Sequence, residues 1–118
     1  MSVRLLWVAG ALLAIAAPAW GHAFPDRSDP PVGRMVDASP PAVRVWFDGA
    51  IDPSVSTLRV EDAAKRRVDK NDSRVSASDD RLLEISVPPL PPGRYRVFWS
   101  VVDRAGHRTD GSFAFRVK

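Results

Sequence analysis

The stretch Arg94-Tyr95-Arg96-Val97-Phe98-Trp99-Ser100-Val101 decides the fold. Tyr95, Val97, Trp99 and Val101 recur at a period of two, with Arg94, Arg96 and Ser100 between them, which is the pattern of a strand with one face in a core and the other in water. Further along, Phe113, Phe115 and Val117 repeat that period after a polar connection running from Asp103 to Gly111. Just upstream, Pro88-Pro89-Leu90-Pro91-Pro92-Gly93 cannot donate ladder hydrogen bonds at its prolines and must be a connection. Before it, Leu83-Glu84-Ile85-Ser86-Val87 alternates again, as does Thr57 to Glu61 with Leu58 and Val60 inward. Val43 to Asp48 places Val43, Val45 and Phe47 inward and Arg44 and Asp48 on the other face, although Trp46 breaks that polar face. Asp62 to Asp80 is polar and predicts at most one weak strand near Arg66 to Asp69. Pro25 to Pro41 is turn-like in composition and reads as an extended lead-in. No segment carries a helical repeat. About seven short strands separated by Pro- and Gly-bearing turns predict an all-β Greek-key sandwich or small barrel.

The first residues read as an address rather than as part of that fold. Met1 to Arg4 is short and basic, Leu5 to Ala17 is an apolar run, and Ala19 and Gly21 occupy the −3 and −1 positions of a signal-peptidase site. The run is well short of the roughly 20 residues needed to span a bilayer. The expected organisation is therefore a cleaved secretory signal peptide over 1–21 and one domain over 22–118, with His22 as the mature first residue. A retained membrane anchor is the competing reading.

Composition narrows the chemistry. The chain of 118 residues has no cysteine, two histidines, and Met35 as its sole methionine besides Met1. It can be neither stapled by disulfides nor lipidated at a cysteine. The formal charge of +3 falls by one when Arg4 leaves with the leader. The arginines are spread along the strands and turns rather than gathered into a patch, so nucleic-acid binding is not suggested. The carboxylates form no paired constellation and the serines lack a plausible base, which argues against hydrolysis.

An N-terminal histidine offers a metal two ligands, because its α-amine and its own Nδ1 close a six-membered chelate ring. With a second imidazole the set becomes three nitrogens in a plane, which suits Cu(II) better than the tetrahedral preference of Zn(II). The amine has a reference pKa of about 7.7 to 8.0. The metal must displace its proton, so affinity should rise with pH. His107 supplies the second imidazole from the polar connection between two well-patterned strands, where a rigid scaffold commonly carries its ligands. Taken alone it would be an ordinary solvated loop histidine; its pairing with His22 makes it a candidate.

The sequence resembles the CopC-type periplasmic copper-binding proteins over essentially all of the mature chain. The residues that carry the likeness are His22-Ala23-Phe24, Ser28-Asp29-Pro30-Pro31-Val32-Gly33, Ser39-Pro40-Pro41-Ala42-Val43-Arg44-Val45-Trp46-Phe47, Leu90-Pro91-Pro92-Gly93-Arg94-Tyr95, Val97 to Val102, and Gly106-His107 followed by Gly111-Ser112-Phe113-Ala114-Phe115. The resemblance implies an immunoglobulin-like β-barrel, a periplasmic location, and Cu(II) held by His22 and His107. It also implies delivery of copper to a CopD-type inner-membrane transporter. The expected protein is a monomer that buffers or delivers one Cu(II) ion and is not an enzyme.

Two departures from the family pattern bear on the site. Members usually read Asp-Gly-His in the loop, with the aspartate as a further ligand, where this chain has Ala105-Gly106-His107. Asp103 or Asp110 could substitute, and Asp103 is favoured because it lies two residues from Ala105. An acidic residue of the early strand is also displaced, Gly49 standing where the family has it and Asp48 one position before. A methionine-rich Cu(I) site is excluded with Met35 alone. Two other readings compete: a copper-brace oxidase of the lytic polysaccharide monooxygenase type, disfavoured by the short connections, and a metal-free immunoglobulin-like interaction module.

Overall fold

The structure is a computed structural model that describes residues 23–118. The leader read over 1–21, and His22, lie outside the described residues. Among the described residues, eight strands form two four-stranded sheets. β1 (Pro25–Asp29), β3 (Ala42–Phe47), β6 (Asp79–Ser86) and β5 (Arg74–Ser76) make one sheet in the order β1-β3-β6-β5. β2 (Met35–Val36), β8 (Arg108–Val117), β7 (Gly93–Val102) and β4 (Thr57–Glu61) make the other in the order β2-β8-β7-β4. The short β2 runs parallel to β8, and the other pairings are antiparallel.

The period-two alternation fixes which residues meet between the sheets. Val43, Val45 and Phe47 of β3 and Leu83 and Ile85 of β6 face Leu58 and Val60 of β4, the odd-numbered residues Tyr95 to Val101 of β7, and Phe113, Phe115 and Val117 of β8, all buried in one cluster. The Tyr95 hydroxyl donates to the Pro91 carbonyl at 2.5 Å. That tie from the start of a strand back to its approach is the tyrosine corner found in Greek-key sandwiches.

The structure corrects the sequence reading in three places. The segment read as an extended lead-in contains β1 and β2. β1 is an edge strand with Pro25 at its first position, where a missing N–H is harmless. It buries no alternate residues, so it carries no periodic signal. Second, the weak strand expected near Arg66 to Asp69 is reduced to a single antiparallel bridge, Arg67 opposite Glu61, in a loop laid along the edge of β4: Val60 N–H donates to Asp69 Oδ2 at 2.8 Å and Leu58 N–H to Ser73 Oγ at 3.0 Å. Side chains thereby satisfy an edge that would otherwise be open, and the strand appears later, as β5. Third, the polar connection read over Asp103 to Gly111 ends at His107, because β8 already begins at Arg108. Trp46 stands on the polar face as read, with the Arg27 guanidinium 4.0 Å from its ring centroid, a cation–π contact that accounts for an aromatic in that register.

Candidate metal centre

β7 and β8 are joined by Asp103-Arg104-Ala105-Gly106-His107, and Asp103 organises that turn. Its Oδ1 accepts the N–H of Ala105 at 2.8 Å and of His107 at 2.9 Å. Asp103 N–H donates to the His107 carbonyl at 3.0 Å, and Gly106 N–H to the Asp103 carbonyl at 3.1 Å. Gly106 has φ +87°, a left-handed conformation that favours glycine. The other carboxylate oxygen, Oδ2, lies 3.5 Å from His107 Nδ1. The His107 backbone N–H holds the Asp103 carboxyl below its ordinary pKa; partial desolvation opposes this, and the Ala105 N–H and the His107 ring reinforce it. The imidazole is half exposed, whereas the Asp103 side chain is 11% exposed. Ala105 is exposed at the tip of the same turn and carries no donor atom in its side chain.

The chain enters the fold beside this turn. Thr109, two residues after His107, donates from Oγ1 to the Ala23 carbonyl at 2.7 Å. From the other side, Asp48 Oδ1 accepts the Phe24 N–H at 2.9 Å, and Asp48 N–H donates to the Phe24 carbonyl at 2.9 Å. Ala23 is buried at 2% exposure, and the Phe24 ring meets the edge of Trp99 with centroids 6.4 Å apart. Trp99 in turn packs on Phe47 and over Gly111, where an added Cβ would come within 2.6 Å of the indole. The chain is therefore clamped between the ends of β3 and β8 one residue after His22 in sequence.

Of the predicted ligands, the structure brings His107 and Asp103 together, while His22 falls outside the described residues. Asp110 is on the outward face of β8 opposite Ser100 and away from that turn. Among the described residues, no group of three His, Cys, Asp or Glu side chains could hold a metal ion. Two positioning residues escaped the sequence reading. Thr109 occupies an inward position of β8, where a buried hydroxyl must find a partner, and that signal was available in the alternation. Asp48 was noted only as a displaced acid; its task depends on a contact across the fold that local sequence does not encode.

The same two-sheet sandwich is found in solved structures. CopC from Methylosinus trichosporium OB3b superposes with a TM-score of 0.73 at 29% identity, over 82% of this chain and 94% of that one. PcoC from Escherichia coli, a methionine-rich copper resistance protein, superposes with a TM-score of 0.73 at 26% identity, over 83% of this chain and all of that one. Protein YobA of Escherichia coli strain K12 is 27% identical over 100 residues, 84% of this chain and 81% of YobA. Residues 26–118 match the CopC domain, and the chain belongs to the CopC family.

Proposed function

We propose that this protein is a periplasmic copper-resistance protein that binds one Cu(II) ion through the α-amine and imidazole of a mature N-terminal His22 and the imidazole of His107. The observation that carries the reading is the double clamp on Ala23 and Phe24, because it ties the residue after His22 to the strand that starts immediately after His107. Consecutive Cα atoms are about 3.8 Å apart, so the anchor at Ala23 limits the reach that His22 needs. Asp103 acts by orienting the ring: with Oδ2 toward Nδ1, the imidazole keeps Nε2 for the metal, and such carboxylate partners fix ring orientation and raise basicity. The protein buffers or delivers copper as a monomer, with a CopD-type membrane transporter as the receiving partner.

The test is a Cu(II) titration of the processed protein against a form carrying one Met before His22. The extension turns the amine into an amide while keeping both histidines, and affinity should fall by orders of magnitude, as it should in His107→Ala. Equal affinity and an identical electron paramagnetic resonance spectrum in the extended form would overturn the amine assignment. Zn(II) should bind more weakly throughout.

A further inference from the structure

Read along the chain, the arginines looked scattered; folding corrects this, because the register of β7 against β8 gathers several of them. Arg94 stands directly opposite Arg116, and Arg96 follows on the same outward face. Arg108 and Arg59 extend the row toward the other end of the sheet and its β4 edge. Against them, Glu61 and Asp110 are the acidic outward residues of β4, β7 and β8, and Glu61 pairs with Arg59 at 2.9 Å. Among the described residues no carboxylate is within ion-pair distance of Arg94, Arg96, Arg108 or Arg116. Arg96 and Arg108 bond only to hydroxyls of this face, Ser112 and Ser100. Like charges directly across an antiparallel pair are unfavourable for the fold, so an unrelieved Arg94–Arg116 pair is a feature that an external anion would stabilise.

We propose that the outer face of the β2-β8-β7-β4 sheet docks on an anionic phospholipid surface. Two features select lipid over an acidic protein segment. The charges run along two ten-residue strands, about 30 Å of sheet. The β2 rim of the same face offers apolar tips, with Met35 55% exposed in register with Arg116 and Val32 63% exposed in the preceding turn. Arginines interspersed with exposed apolar side chains are what a headgroup layer over acyl chains accepts. This inference stands on the sheet face and is independent of copper binding.

The test is co-sedimentation of the exported, processed protein with vesicles of phosphatidylcholine plus phosphatidylglycerol, and with phosphatidylcholine alone. Retention should require phosphatidylglycerol and fall with added salt. Each basic residue near such a surface is worth on the order of five-fold in binding, so Arg94→Gln/Arg116→Gln should lose roughly 25-fold. Arg44→Gln/Arg74→Gln removes the same charge from the opposite sheet and should leave retention nearly unchanged. Thermal unfolding confirms that both variants fold. Equal losses in the two double variants would mean that net charge alone is read, and would overturn the assignment. So would an absence of preference for phosphatidylglycerol, or binding to soluble polyglutamate without binding to vesicles.

Discussion

The two outer faces of the sandwich are built from the same kinds of residue and differ in how those residues are paired. On the β1-β3-β6-β5 side, Glu84 accepts from Arg44 at 3.1 Å and stands 3.5 Å from Arg74, which also reaches Asp72 at 2.9 Å. Arg27 lies on Trp46. On the β2-β8-β7-β4 side, Arg94 and Arg116 face each other without a carboxylate. One face is electrostatically closed on itself and the other is left open to a partner. Net charge conceals this difference, since the excess over the whole chain is only +3.

Four substitutions would break or sharpen that contrast. The largest effect belongs to the interior that both faces share: Gly111→Ala drives a methyl into the Trp99 indole, and overpacking of that kind should cost about 2 kcal/mol, read as a lowered urea midpoint with an unchanged slope. Next, Glu84→Gln removes the carboxylate that Arg44 and Arg74 share on the closed face, leaving Arg74 with Asp72, and should cost about 1 kcal/mol. If it costs nothing, the ion pairs seen there do not distinguish the faces. On the open face the sign reverses: Arg116→Glu converts a like-charged pair into an opposite one and should stabilise by about 0.5 kcal/mol, most clearly at low salt. A loss of stability would show that Arg116 has a favourable partner within the fold.

The smallest effect concerns pH. The hydroxyl and then the backbone N–H of Ser86 hold the Asp72 carboxyl below its ordinary value, with Arg74 reinforcing them against partial desolvation. A carboxyl lowered in the folded state stabilises fully above the unfolded pKa of about 3.9 and loses that contribution as pH falls through the lower folded value. Asp72→Asn should therefore flatten the decline of stability below about pH 4. An identical acid profile would remove Asp72 from the closed network.

What was legible beforehand follows from how each signal is stored. β3, β4, β7 and the second half of β8 declared themselves because each buries every second residue, so Val43 or Val97 is recognisable from its immediate neighbours. β1, β2 and β5 are short strands with little to bury, and pairing across the fold creates them. His107 and Asp103 could be singled out because a single loop holds both. The Asp48 clamp could not, since it joins residues that are 24 apart in the chain. The arginine row was missed for the same reason: Arg94 and Arg116 become neighbours only once the β7–β8 register is known.

The packing of Trp99 also gives the protein an optical gauge of its own N-terminal segment. Its indole makes an edge contact with the ring of Phe24, the second of the two clamped residues. Releasing that segment removes the contact and should shift the emission toward the red. Trp46, the other indole among the described residues, is held beneath Arg27 on the far sheet and supplies a constant background. Docking and release of the chain's entry segment can thus be followed by intrinsic fluorescence, with no label attached.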